Sequence, residues 1–195
     1  MKGCNYEIVI VDDSTDNTKT IAKKILELFK IKYQLFHRNN TRGKGSAVAY
    51  GIKKSKGEIL VVIDADLEYH PRFITKMVKK LDEYDLVTAA RIRRDPFYRR
   101  VLGGLFRTIV HLLFNISFET QSGLKVIKRS ILDEIELKSK GWVWDVELIK
   151  KVMNKNGKVA THIIPYSSRE LGKSKITLLT PFYMLKDLLL LRLSL

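Results

Sequence analysis

Residues 59–63, Ile-Leu-Val-Val-Ile, most narrow what this chain can fold into. Five consecutive apolar residues, bounded by Lys56-Gly57 before and by Asp64, Asp66 and Glu68 after, are too few for a helix. Apolar on both faces, they suit a central strand of a parallel sheet covered by helices on each side. Shorter β-branched or apolar runs at residues 7–11, 32–36 and 85–89 read as further strands. Between them the apolar spacing changes. Ile21, Ile25, Leu28 and Phe29 predict an amphipathic helix over residues 18–29. Gly43-Lys44-Gly45 opens a second helix through Ala47, Val48 and Ile52, and residues 71–81 form a third. This alternation predicts an α/β fold with a mostly parallel sheet flanked by helices. A length of 195 residues fits one domain that can bury a core without staples.

The second half is more basic and more apolar. Residues 91–100 contain five arginines, at 91, 93, 94, 99 and 100. A helix is expected over residues 101–118, with Arg107, His111 and Asn115 along one face, then a turn at residues 120–123. A helix over residues 145–153, a strand over 159–164 and a basic, glycine-containing loop over 169–175 follow. The tail, residues 176–195, is apolar with Lys186, Asp187 and Arg192 spaced along it. The formal net charge of +15 calls for an anionic partner: nucleic acid, a membrane surface or a phosphorylated substrate. No nucleic-acid recognition motif is present, and aromatic residues do not interleave the basic loop, so nucleic acid is not expected. A single cysteine, Cys4, permits no internal disulfide and suits a reducing compartment. The first 20 residues hold only the short apolar run of residues 8–11, which is no signal-peptide core. The longest apolar stretches are interrupted by charges or by Pro181, so no clean membrane span is expected.

Asp64-Ala65-Asp66-Leu67-Glu68 is the sharpest chemical feature. In an extended chain alternate residues share a side, so three carboxylates would repel unless a cation lay among them. Oxygen donors suit Mg²⁺ or Mn²⁺, with substrate phosphates completing the shell. The carboxyl end of a strand is also where open α/β sheets bind ligands. A solvated acidic turn is the competing reading. Asp12-Asp13 ends another strand; either it caps the next helix with Ser14 or Thr15, or a carboxylate meets a base or ribose. Gly43-Lys44-Gly45-Ser46 looks like a phosphate loop without the full P-loop spacing, and a plain helix-start turn also fits.

Taken together, residues 11–16 (Val-Asp-Asp-Ser-Thr-Asp), 43–47 (Gly-Lys-Gly-Ser-Ala) and 64–67 (Asp-Ala-Asp-Leu) resemble the family 2 glycosyltransferases of the GT-A fold. Residues 119–125, 144–148 and 172–175 narrow the resemblance to the polyprenyl-phosphate hexosyltransferases, the dolichyl-phosphate mannose and glucose synthases. Thr-Gln-Ser-Gly at residues 120–123, Trp-Asp-Val-Glu-Leu at 144–148 and the tail around 186–189 look closer to the glucose synthases. The family usually begins with a strand and a Pro-x-Tyr-Asn-Glu-like segment. Residues 1–5 lead directly into what is normally the second strand, so the first strand is expected to be missing.

The resemblance implies a role for each matching residue. Asp13 contacts the nucleotide base and Val11 lines that pocket. Asp64 and Asp66, with Ala65 between them, bind the nucleotide sugar; Asp64, Asp66 and Glu68 hold the metal, Mg²⁺ or Mn²⁺. Arg91 meets phosphate, of donor or acceptor, and Arg99 meets the lipid phosphate, although Gly103 stands where the mannose synthases have a serine. Arg169 and Lys175 close over donor and acceptor. Asp145 or Glu147 positions the acceptor or acts as a base, against a plain helix-start role for Asp145. The implied reaction transfers a hexose from UDP-glucose or GDP-mannose to a polyprenyl (dolichyl) phosphate with inversion. The GT-A domain would span residues 1–175, and residues 176–195 an amphipathic tail. That tail, the helix over 101–118 and the arginine cluster would hold the protein peripherally at the cytoplasmic face of an anionic membrane. The alternatives are a truncated, inactive GT-A domain that binds a membrane or partner, and a family 2 glycosyltransferase with another acceptor.

Overall fold

The computed structural model describes residues 5–39, 43–92, 97–165 and 180–195, and of Tyr98, Arg99 and Pro181 the backbone only. Strands β1 (Ile8–Asp12) and β2 (Tyr33–His37) pair in parallel, Ile8 opposite Tyr33. Helix α1 (Thr18–Leu28) joins them, its first turn fixed where the Thr18 N–H donates to Asp16 Oδ1 at 2.9 Å. Only Leu26 of α1 is buried; Ile21, Ile25, Leu28 and Phe29 remain exposed, because a two-stranded sheet offers little area to cover them. Helix α2 (Lys44–Lys54) packs on β1 and also reaches the main core through Val48 and Ile52.

The larger sheet has the order β3-β5-β4-β6: β3 (Ile59–Ile63), β5 (Leu124–Lys128), β4 (Leu86–Arg91) and β6 (Val159–Ile164). The α/β alternation is present, but the sheet is mixed rather than mostly parallel. β5 runs antiparallel to both β3 and β4, and β4 and β6 are parallel. The expected central position of residues 59–63 is also corrected. β3 is an edge strand among the described residues, with Ile59 and Ile63 exposed. β5 is not expected from the sequence, because Lys125 and Lys128 break its apolar pattern, whereas Lys125 is in fact wholly buried.

Helix α3 (Ile74–Lys79) lies between two short 3₁₀ turns, Pro71–Phe73 and Lys80–Asp82, and packs with Leu124, Val126 and Ile164 on one side of the sheet. On the other side α4 (Phe97–Phe114), the short α5 (Arg129–Asp133), α6 (Trp144–Asn154) and α7 (Thr180–Ser194) share one core. α7 packs Leu188 and Leu191 into that core, yet Phe182, Tyr183, Leu189, Leu190 and Leu193 on its outer side are apolar and exposed. α4 likewise buries Val110 and Phe114 and exposes Phe97, Val101, Leu105 and Leu112. No helix among the described residues is long and apolar enough to cross a membrane.

Candidate functional site

The carboxyl ends of β1, β3 and β4, the start of α2 and the start of α6 carry the residues that the sequence singles out. Asp64 follows β3 directly, and its N–H donates to the Gly123 carbonyl at 2.8 Å. A Cβ on Gly123 would lie 2.8 Å from Asp64 Oδ2 and 2.9 Å from the Tyr69 ring, so only glycine lets the 120–123 turn close on this carboxylate. The chain then turns sharply at Leu67, φ +60°, and the Glu68 N–H donates to Asp66 Oδ1 at 3.2 Å. Glu68 is drawn to Arg91, at 2.8 Å, and the Arg91 guanidinium lies 4.9 Å from the Tyr69 ring centroid. Burial would lower the Arg91 pKa, but Tyr69 and Glu68 outweigh it and hold it above its ordinary value. The three carboxylates therefore do not converge. Among the described residues no group of three or more His, Cys, Asp or Glu side chains is placed to hold a metal.

A cation does sit on Asp64, and it belongs to the protein: Lys44 Nζ donates to Asp64 Oδ2 at 2.8 Å, with the Trp142 and Trp144 rings each 6.0 Å away. Burial acts to lower the Lys44 pKa, yet Asp145 and Asp64 together raise it above its ordinary value. The backbone around Lys44 is clamped. Gly43 has φ +84°, and a Cβ there would lie 2.4 Å from the Lys140 carbonyl oxygen; one on Gly45 would lie 2.2 Å from that of Ser139. The Gly45 and Ser46 N–H groups donate to the Gly141 and Lys140 carbonyls at 3.2 and 3.1 Å. Those two amides are thus spent on the protein rather than turned to a phosphate, and the Lys44 side chain is what this loop presents.

Behind this pair lies a second one. Asp145, on the first turn of α6, pairs with Lys125 of β5 at 2.7 Å; Lys125 also donates to the Ser122 carbonyl at 2.6 Å and lies 5.0 Å from the Trp144 ring centroid. Burial pushes the Asp145 carboxyl up and the Lys125 ammonium down, each resisted by attraction to the other. Asp145 is accordingly held inside the protein. Glu147 is also buried and accepts from the Lys138 N–H at 2.9 Å, the Ser139 N–H at 2.7 Å and Lys151 Nζ at 2.7 Å, which fixes the segment that clamps Gly43 and Gly45.

At the end of β1, Asp12 accepts from the Ser14 N–H at 3.0 Å and meets His37 at 2.9 Å. Burial pushes the Asp12 pKa up, but the hydrogen bonds from Ser14 and His37 outweigh it and leave it lowered. Asp13 takes a two-pronged ion pair from Arg38, whose Nη1 donates to Ser46 Oγ at 3.0 Å. The first turn of α1 is met by Asp16. Val11 is half-buried against Gly51 of α2, and Ala65 is exposed.

The Arg99 side chain, Arg169 and Lys175 lie outside the described residues. Arg38 and Lys125 carry no expected role from the sequence, and Lys44 is expected there only as part of a phosphate-like loop. Arg38 follows a strand and resembles any surface arginine. Lys125 gave one signal, a lysine inside Leu-Lys-Val-Ile. The contact of Lys44 with Asp64 spans 20 positions and has no local signature.

Asp64 and Asp66 offer hard oxygen donors, and the ammonium on Asp64 shows that a cation is accommodated there. That donor chemistry fits Mg²⁺ or Mn²⁺ completed by phosphate oxygens and water.

The family model "Glycosyl transferase family 2" matches residues 2–136. The chain is 28% identical over 200 residues to a dolichol-phosphate mannosyltransferase of Pyrococcus furiosus, covering 96% of this chain and 55% of that protein. It is 27% identical to a dolichol-phosphate mannosyltransferase of Saccharomyces cerevisiae (88% and 68% covered) and 26% identical to a polyprenol monophosphomannose synthase of Mycolicibacterium smegmatis (87% and 70% covered). The chain thus spans about half the length of the first of these relatives and about two thirds of the others. Among solved structures, glucosyl-3-phosphoglycerate synthase from Mycobacterium tuberculosis, in complex with Mn²⁺, UDP-glucose and phosphoglyceric acid, superposes with a TM-score of 0.73 at 17% identity, covering 94% of this chain and 68% of that one. A second mycobacterial protein gives a TM-score of 0.75 at 22% identity, covering 100% and 66%. These two likenesses show the fold.

Proposed function

The chain belongs to glycosyl transferase family 2, and from that membership we propose that it transfers a hexose from a nucleotide sugar to a polyprenyl phosphate. The observation that carries the reading is that the start of α2 links the carboxyl ends of β1 and β3: Lys44 donates to Asp64 at 2.8 Å, and Ser46 accepts from Arg38, the ion-pair partner of Asp13. The names of the relatives support a polyprenyl-phosphate acceptor and favour mannose. The form of residues 120–123 and 144–148 favours glucose.

Asp13 and Val11 face the nucleotide in this reading, and Asp64 and Asp66 hold Mg²⁺ or Mn²⁺. The bound metal would supply Lewis-acid neutralisation of charge on the departing diphosphate. Arg91 and Arg99 orient the acceptor phosphate, and Arg169 and Lys175 add positive charge over donor and acceptor. A phosphomonoester has its second pKa at about 6, so the acceptor is already an anion at neutral pH and needs no protein base. Asp145, paired with Lys125, then acts as a positioning residue behind the site. Direct attack by that anion inverts the anomeric carbon. The exposed apolar sides of α4 and α7 and the basic residues 91–100 favour peripheral contact with an anionic membrane.

The test is a transfer assay with GDP-mannose and with UDP-glucose against dolichyl phosphate, with and without Mn²⁺. Lipid-linked hexose from one donor, lost in EDTA, is the expected result. Turnover of neither donor, by a chain that still binds nucleotide, would overturn the proposal.

A further inference from the structure

The contact between Lys44 and Asp64 has a consequence for how the metal is taken up. We propose that Lys44 is a resident counter-cation of the metal site, holding Asp64 while no metal is bound and leaving it for the diphosphate when metal and nucleotide enter together. The inference rests on the metal reading of Asp64 and Asp66 given above.

Three observations carry it. The Lys44 ammonium is bonded to an Asp64 oxygen that a divalent cation could use, 2.8 Å from Oδ2. A divalent ion bonds a carboxylate oxygen at about 2.1 Å. On Oδ2 of Asp64 it would stand within roughly 5 Å of a positive ammonium, and like charges that close in a half-buried site repel strongly. Lys44 and the ion therefore compete for one carboxylate.

The second observation is that only the side chain of Lys44 is free to respond. Gly43 and Gly45 are packed against the carbonyls of residues 139–141 so tightly that a Cβ on either would collide. The ammonium sits on a flexible four-carbon stem and can swing while α2 stays in place.

The third observation is what Lys44 meets once it leaves Asp64. Of the other carboxylates that attract Lys44, Asp145 is already paired with Lys125 at 2.7 Å and Asp66 is the metal's second ligand in this reading, and the rings of Trp142 and Trp144 are neutral. A full replacement for Asp64 must come from an incoming anion. The diphosphate of a nucleotide sugar supplies it, while the metal takes the carboxylate. Metal without nucleotide must displace Lys44 with no compensation and binds weakly. Metal with nucleotide exchanges one ion pair for two.

The experiment counts free Mn²⁺ by electron paramagnetic resonance during titration of the wild-type protein, Lys44→Met and Lys44→Arg, each with Mn²⁺ alone and with GDP or UDP present. Removing the competing charge should tighten Mn²⁺ alone about tenfold or more in Lys44→Met, the scale of one charge-assisted hydrogen bond. The gain in Mn²⁺ affinity on adding nucleotide should be large in the wild type and shrink in Lys44→Met. Lys44→Arg, which keeps the charge, should resemble the wild type. Equal affinities for Mn²⁺ alone in wild type and Lys44→Met would overturn the proposal and leave the metal reading intact, provided nucleotide-dependent Mn²⁺ binding persists and is lost in Asp66→Asn. Absence of Mn²⁺ binding to the wild type with either nucleotide would overturn both. If circular dichroism shows Lys44→Met unfolded, Lys44→Gln carries the same expectations.

Discussion

Lys125 of β5 and Asp145 of α6 form an ion pair of 2.7 Å in which the lysine side chain has no exposure to solvent. Burying two charges is costly, and their attraction compensates only while both are present. Lys125→Met should therefore destabilise the protein by about 3–5 kcal/mol, because Asp145 is left buried without its cation. The double variant Lys125→Met/Asp145→Leu should recover most of that loss. Urea unfolding of the three proteins measures both effects; a loss below about 1 kcal/mol in the single variant would contradict this account.

Asp66→Asn should remove metal-dependent binding of a nucleoside diphosphate, weakening it about ten- to a hundredfold, the scale of a lost charged contact. Calorimetry with GDP or UDP, in Mn²⁺ and in EDTA, reads this directly. Equal binding in EDTA by the unmodified protein would show that no metal takes part.

Glu147 gives a stability prediction with a defined pH dependence. Burial pushes its pKa up, but Lys151 and the N–H groups of Lys138 and Ser139 outweigh it, so the folded protein releases this proton more readily than the unfolded chain. Its contribution is then fully present above the ordinary glutamate range and is lost as pH falls through the lowered folded value. Glu147→Gln should cost about 1.5–3 kcal/mol at neutral pH. The difference from wild type should shrink as unfolding is measured at progressively more acid pH.

Two glycines should respond to alanine in opposite ways. At Gly45 a Cβ would fall 2.2 Å from the Ser139 oxygen and 2.8 Å from Trp144 Cβ, so Gly45→Ala should destabilise by about 1–3 kcal/mol. At Gly104, inside α4, nothing lies within 4 Å of the added carbon. Gly104→Ala should stabilise by about 0.5–1 kcal/mol through helix propensity. Thermal melts of both variants check the contrast.

Sedimentation with vesicles tests the membrane reading. Anionic vesicles should pull the protein down at low salt and release part of it at high salt, since headgroup attraction is screened while apolar insertion is not. Replacing exposed Leu105 and Leu112 of α4 with serine should reduce the salt-resistant fraction. Full recovery in the supernatant at low salt would rule the reading out.

The sequence by itself determined the local elements and the chemistry available to them. Strands β3 and β6 have the bounds read from their apolar pattern, and β1, β2, α1, α2 and α6 lie within a residue or two of theirs, because period-2 and period-3.6 burial are local properties. The motifs at residues 11–16, 43–47 and 64–68 likewise marked the carboxyl ends of β1 and β3 and the start of α2 before any contact was known. The tertiary structure decided which residues meet. β5 inserts antiparallel between β3 and β4, a pairing across more than sixty positions with β3, and it turns Lys125 from an apparent surface lysine into the buried partner of Asp145. Glu68 turns to Arg91, Asp64 to Lys44 and Asp13 to Arg38, each a partner distant in the sequence. The physical reason is range. Hydrophobic periodicity is set by neighbours along the chain, whereas the partner of a charge is set by whichever opposite charge the packed elements bring within reach.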